Sequence, residues 1–503
     1  MLNNNRFRQV VANIMANLQM RNQRSDEPMD VVVGAGQSGL PDRYPYTRPQ
    51  FLRLTDEEVS IASDSVIRPI MVPRDLANLP WHCGYAEVMN GGKSKYNEDQ
   101  ATAEHFVLRD RHGDEEIAEE AEERPANATG GSPEEIPLTY FGVFDGHAGT
   151  GAALFASHHL SEQVMAKLGR IHALLANSTT EHRQFTRRGD LRPHKWPFQE
   201  GEVSVESLVT GALEAAFVDM DEQIKQAKQF STITGGCTAL VALFLLGKLY
   251  IANAGDSRAI ICKGSEVIPM STDFNPVTER QRVQYLAAMK PELLAGEFSP
   301  LEFQKRVHRK DIGKQVMYRD STMTGWTYKL VTEEDLSFPL VVGEGKKARL
   351  LATIGVTRGF GDHDLKVQGT NIAIKPFLTP VPEVRVYNLF DQEFTENDVL
   401  VMASDGLWDI LSNEKVHEVV TEVLHSFPPG DYKRYASAAQ EVIMAARGIL
   451  KVNGWRIKDN RQGSGDDISV FIVPLYHHHG GLSPQNSCTE SCDVSGPCSD
   501  SPQ

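Results

Sequence analysis

The chain has 503 residues, 41% of them apolar and 23% charged, a globular balance that excludes collagen, coiled coil and wholesale disorder. Lys and Arg number 51 against 67 Asp and Glu, leaving a formal charge of −16 and a pI near 5.5, so no nucleic-acid partner is expected, because phosphate backbones need a net basic face. Six cysteines are too few for a disulfide scaffold, no apolar run reaches the roughly 18 residues of a membrane span, and no signal-peptide pattern opens the chain. These features predict a cytoplasmic protein in a reducing setting rather than a secreted one.

Residues 1–24 hold no acid but carry Arg6, Arg8, Arg21 and Arg24, while Phe7, Val10, Val11, Ile14, Met15 and Leu18 fall on one stripe of a helix. An amphipathic, Arg-bearing helix suits peripheral contact with an internal membrane. A helix packed on the body or a frayed end is the plainer reading, and a mitochondrial presequence is a third, with little Ser to support it. Residues 25–50, with Gly34, Gly36, Gly39, Pro41 and Pro45, read as a linker. Residues 51–476 read as one globular unit with insertions at about 108–135, 177–202 and 271–347. The first holds seven acids between Asp114 and Glu123, a solvated loop. The second is polar and basic. The third has helical pattern from Glu279 to Leu294 and aromatic anchors at Tyr318, Trp326 and Tyr328, so it reads as a folded insertion.

Strands are expected at Pro133 to Phe144, in a hairpin from Ala239 to Ala252 turning at Gly247-Lys248, at Val399 to Ala403 and at Ile468 to Val473. Helices are expected at Gly149 to Leu168, Val205 to Gln229 and Ala436 to Leu450. Hairpins without regular strand-helix alternation favour an α+β fold. Residues 477–503, His-, Ser-, Pro- and Cys-rich, read as a disordered tail. Its Cys488, Cys492 and Cys498 lack paired zinc-ligand spacing, and Cys83, Cys237 and Cys262 read as buried small hydrophobes.

The strongest apolar runs stop at carboxylates. Phe144 leads into Asp145-Gly146-His147, Ala254 into Gly255-Asp256, and Ser404 into Asp405-Gly406-Leu407-Trp408-Asp409; Asp466-Asp467 precedes the last run, and Glu98-Asp99 closes the segment from Tyr85 to Tyr96. One Asp-Gly is an ordinary turn. Five such sites, three of them with paired acids, are not. Gathered carboxylates repel one another and need cations to stay ionised, and an all-oxygen donor set suits Mg²⁺ or Mn²⁺. Two such ions clamp a phosphoryl group well. Gly146 leaves its own carbonyl free to approach an ion with no Cβ in the way.

The set Phe144 to Gly149, Gly236-Cys237-Thr238-Ala239, Ala254 to Arg258, Thr357-Arg358-Gly359-Phe360-Gly361-Asp362 and Ser404 to Asp409 resembles the metal-dependent type-2C protein serine/threonine phosphatases, in their order, from about Trp81 to Leu475. Trp81, Arg280, Trp326 and Gly343-Glu344-Gly345-Lys346-Lys347 resemble the family's H, J and M branch. The resemblance implies two antiparallel sheets packed as a sandwich, flanked by helices, with the metals at one end. It implies hydrolysis of phosphoserine and phosphothreonine on phosphoprotein substrates, regulated small GTPases among them, by a two-metal, bridging-hydroxide mechanism. Asp145 would bridge two ions, the Gly146 carbonyl and Glu98 would hold one, and Asp405 and Asp466 the other. Asp256 and Asp409 would form a weaker third site, and His147 would protonate the leaving oxygen. Asp362 reads as a structural acid.

The family's phosphate-gripping arginine is replaced here by Ser94, between Lys93 and Lys95. The lysines are the candidate phosphate-binding residues, as point charges rather than a bidentate fork. The insertion at 271–347 occupies the place of the family's flap, a passive decoration or a contact surface for a folded substrate. A pseudophosphatase scaffold is the alternative function, but it would be free to lose Asp145, Asp405, Asp466 or His147, and all are present. Removal of residues 1–24 should release the protein from anionic vesicles while leaving phosphopeptide turnover intact. A full-length chain that ignores such vesicles in a flotation assay returns the segment to the plainer reading.

Overall fold

The computed structural model describes residues 45–109, 135–176, 203–390 and 392–479. The expected N-terminal helix, most of the linker, nearly all of insertion 108–135, insertion 177–202 and the tail from residue 480 lie outside them.

Eleven strands form the sandwich: β1 (Ile70–Met71), β2 (Gly84–Val88), β3 (Gln100–Leu108), β4 (Ile136–Phe144), β5 (Ala239–Leu245), β6 (Lys248–Ala254), β7 (Arg258–Lys263), β8 (Glu266–Pro269), β9 (Glu383–Asn388), β10 (Val399–Ala403) and β11 (Ile468–Pro474). One sheet runs β1-β2-β11-β10-β7-β8 and the other β9-β6-β5-β4-β3. Every pairing in both is antiparallel.

Helices α1 (Gly151–Gly169) and α2 (Val205–Ala227) cover one sheet, and α3 (Asn413–Ser426) and α4 (Lys433–Arg447) the other. Both faces of each sheet are therefore dry at its centre, so central strands read as unbroken apolar runs although successive side chains still alternate. On β5, Leu240, Ala242 and Phe244 enter the core between the sheets, while Val241, Leu243 and Leu245 pack under α1 and α2. On β11, Phe471 and Val473 face inward while Val470 and Ile472 meet α3 and α4. The α+β sandwich expected from the sequence is the fold observed. Ser204 and Ser412 cap α2 and α3 by accepting the N–H of Ser207 and Lys415.

Several boundaries differ from expectation. The hairpin turns at Leu246-Gly247, not Gly247-Lys248: Leu245 pairs with Lys248, and φ is positive at both turn residues, as this two-residue turn requires. Helix α4 ends at Arg447. A Cβ on Gly448 would lie 2.1 Å from the Arg456 carbonyl oxygen, and Ile449-Leu450 begin a separate hairpin with Gly454–Arg456. The helix at 279–294 is divided by Pro291 into Arg280–Met289 and a 3₁₀ turn. The linker, expected to run to residue 50, is already packed at Arg48, which is buried against Glu87 of β2. The insertion is folded as expected, but its core runs past 347. Val283, Leu294, Phe298, Phe338 and Leu340 pack with Val356, Ile374 and Leu378. Cys83, Cys237 and Cys262 are buried as expected, and burial pushes the Cys262 thiol up to about 12.

Phe141 is fully buried between the sheets, with Trp81, Phe244 and Phe471 around its ring. Phe141→Ala should cost about 3–5 kcal/mol in denaturant unfolding. A loss below about 1 kcal/mol would mean that this layer is not the close-packed core described.

Candidate active site

Strand register collects the acids at one end of the sandwich. Gln100 pairs with Phe144, so Glu98, two residues before β3, lies beside Asp145, one residue after β4. Ala403 pairs with Arg258 and with Val470, which brings Asp405 next to both Asp256 and Asp466. Carboxylate oxygens of Asp145, Asp256 and Asp405 lie within 4.8 Å of one another. The Asp405 N–H points at Asp145 Oδ2 at 3.4 Å. Thr238 fixes Asp145 by donating its N–H to the Asp145 carbonyl at 2.9 Å, and its hydroxyl meets that of Ser257, next to Asp256, at 3.0 Å.

Burial and mutual repulsion raise the pKa of this group. Asp145 and Asp256 are lifted well above the usual carboxylate range, first by burial and then by Asp405, and Asp405 is pushed up to about 7 by burial, Asp466 and Asp409. Glu98 is raised by burial, partly offset by the Gly149 N–H, which donates to Glu98 Oε1 at 2.7 Å, and by the charge of His147. Every donor is oxygen, which fits a hard divalent cation.

Two buried acids behind the cluster are structural. Asp467 accepts the N–H groups of Asn90 and Glu98 at 2.8 and 3.2 Å, and Asp99 accepts the Ser404 hydroxyl at 2.7 Å. Glycines let these loops touch. A Cβ on Gly146 would sit 2.3 Å from the Glu98 carbonyl oxygen, and one on Gly406 would sit 2.0 Å from that of Asp467. For Gly146 this close approach is a nearer reason than the one expected from the sequence.

His147 and Asp362 meet through a small sheet in which Gly236 pairs with both His147 and Gly361. His147 Nε2 lies 2.6 Å from Asp362 Oδ2. Asp362 is a buried acid and not part of the carboxylate cluster, as expected, but its imidazole partner was not foreseen from the sequence.

The lysines divide. Lys93 sits at the cluster with its ammonium 2.5 Å from Asp466. Burial opposes its charge, but Asp466, Asp405 and Asp467 together raise its pKa. Lys95 turns instead to Asp64, 3.4 Å away. Ser94 uses its hydroxyl locally, donating to the Tyr96 carbonyl at 2.6 Å. Asp409 is exposed and pairs with Lys346 of the insertion at 2.9 Å. Sequence reasoning missed Lys346 in this role. It also missed Arg447, which donates to the carbonyls of Asp466 and Met89 at 2.7 and 2.8 Å.

A family model described as protein phosphatase 2C matches residues 114–289 and 339–449, more than half of the chain. The chain belongs to this family. It is a metal-dependent protein serine/threonine phosphatase. Protein phosphatase 1H of Mus musculus is 47% identical over 508 residues, covering 94% of this chain and 98% of its own length. Protein phosphatase 1J of Rattus norvegicus is 47% identical over 441 residues, with 86% of each chain covered. The expected branch is thus borne out. Residues 290–338, which the family model passes over, fall inside the folded insertion.

Without metal the cluster makes stability pH-dependent. Asp405 titrates near 7 when folded, against about 3.9 for a free aspartate. The folded state therefore holds a proton that the unfolded chain has released, and the contribution of Asp405 to stability falls as pH rises through that window and is lost above about 7. In chelator, the melting temperature should drop between pH 5.5 and 7, less steeply in Asp405→Asn, and Mn²⁺ should restore it at pH 7.5. A melting temperature that rises across the window contradicts the repulsion described.

Proposed function

We propose that the chain hydrolyses phosphoserine and phosphothreonine through a two-metal centre with His147 as general acid. The observation that carries this reading is the convergence of Asp145, Asp256 and Asp405 within 4.8 Å, with the His147–Asp362 pair on the same motif. In this reading Asp145, the Gly146 carbonyl and Glu98 would hold one Mg²⁺ or Mn²⁺, and Asp145, Asp405 and Asp466 would hold the second. Asp256 and Asp409 supply a weaker third position. The bound ions supply positive charge for the phosphoryl oxygens and acidify water.

The chain's own residues do the rest. Asp362 accepts from His147 Nε2, which orients the ring and leaves Nδ1 as the nitrogen able to give a proton to the leaving oxygen. Lys93, exposed on one side and held at Asp466, is the cation placed to meet a phosphate. It stands in for the family's arginine as a single charge. Lys95, paired with Asp64, has the lesser part. The scaffold alternative finds no missing acid to support it.

Substrates in this reading are phosphoproteins that include regulated small GTPases. The setting is cytoplasmic, with residues 1–24 resting on an internal membrane. What supports the membrane contact is the apolar stripe and its four arginines in a chain of net charge −16.

His147→Gln should lose about 10²–10⁴-fold in turnover of a phosphoserine peptide, and much less on an aryl phosphate, whose leaving group needs no proton. Asp362→Asn should follow the same pattern more weakly. Equal losses on both substrates would assign the pair to metal positioning instead.

A further inference from the structure

The segment just before the sandwich is built into the loop that carries Glu98. Arg48 is buried, and its guanidinium forks onto Glu87 of β2 with two bonds of 2.7 Å. Its remaining nitrogen donates to two main-chain carbonyls, Asn97 at 3.1 Å and Asp99 at 2.7 Å, which flank Glu98 on either side. The Asn97 N–H donates to the Tyr46 hydroxyl at 3.0 Å, and the Gln100 side chain donates to the Thr47 carbonyl at 2.9 Å. The rings of Tyr46 and Tyr96 meet edge to face at 4.8 Å.

The residues on each side of Glu98 are thus gripped from one direction by Tyr46, Thr47 and Arg48. From the other, the Glu98 N–H donates to Asp467, and the Glu98 carbonyl abuts Gly146. The pinned backbone fixes where the Glu98 side chain starts, and the Gly149 N–H, donating to Oε1 at 2.7 Å, holds its carboxylate. A buried guanidinium is retained only where partners satisfy its donors. Here the partners beyond Glu87 are carbonyls of the ligand loop. Glu87 needs Arg48 equally, because it is fully buried and its other hydrogen bond is the Tyr85 hydroxyl.

We propose that Tyr46, Thr47 and Arg48 are positioning residues for the metal centre, a clamp that sets Glu98 through the backbone of residues 97–99. The proposal rests on the reading of Glu98 as a metal-holding residue. It places the end of the N-terminal segment inside the machinery of the site, so that this stretch acts on metal affinity as well as joining residues 1–44 to the domain.

The test is Mn²⁺ binding by calorimetry on the full chain, with melting temperature in chelator as a measure of folding. Removing Arg48 outright would strand the Glu87 carboxylate, so the gentler variants are Tyr46→Phe and Arg48→Lys. Each should weaken Mn²⁺ binding by about 10-fold, the low end for residues supporting a ligand, with a small change in the chelator melting temperature for Tyr46→Phe. If the clamp acts through Glu98, Tyr46→Phe should have no further effect in a Glu98→Gln background. Unchanged Mn²⁺ affinity in both gentle variants overturns the clamp. So does a Tyr46→Phe loss that persists undiminished with Glu98→Gln, which is what a merely structural residue would give. If Glu98→Gln itself binds Mn²⁺ like the parent, the metal reading of Glu98 is overturned, and the clamp with it.

Discussion

The structure is organised around one unfavourable arrangement, several carboxylates held closer than their charges would choose. Asp145, Asp256 and Asp405 lie within 4.8 Å, with Asp466 near enough to raise the pKa of Asp145, Asp405 and Glu98. No loop left to itself would keep that geometry. What keeps it is the sandwich, whose antiparallel registers fix which strand ends share an edge, and whose two dry faces make those registers costly to slip. Compensating charges include Lys93 on Asp466 and Lys346 on Asp409. Divalent cations bound there would complete the balance and turn the repulsion into binding.

Around the acids stands a second group that touches their backbones rather than their carboxylates. Arg447 holds the carbonyl of Asp466, Arg48 the carbonyls beside Glu98, and Thr238 the carbonyl of Asp145. Main-chain anchoring fixes the loops that carry the acids without occupying a carboxylate oxygen. Lys346 adds a link of another kind, since it reaches Asp409 from an insertion with its own core. The insertion and the rim of the site are therefore joined by an ion pair, and a protein surface docked on the insertion would lie next to the acids.

The central strands were legible because a strand dry on both faces leaves an unbroken apolar run, and most of the acids were legible because they border such a run. The hairpin turn was misplaced by one residue, because Leu246 carries no sign of a positive φ and only its glycine neighbour does. The end of α4 was missed because the Arg456 carbonyl that excludes a side chain at Gly448 comes from a later hairpin. Asp362, Arg48, Arg447 and Lys346 share that cause. Their partners lie 215, 49, 19 and 63 residues away in sequence, and no local pattern announces them. Asp362 was marked as a buried acid, yet only the pairing of Gly236 with two strands brings it to His147.

The central claim is that the acidic cluster works through bound cations. It is tested most directly by stripping the protein of metal and following phosphopeptide hydrolysis while Mn²⁺ is added back. The account predicts no turnover in excess chelator, recovery on addition of Mn²⁺, and no recovery at any Mn²⁺ concentration in Asp145→Ala. Turnover that persists undiminished in chelator would contradict it.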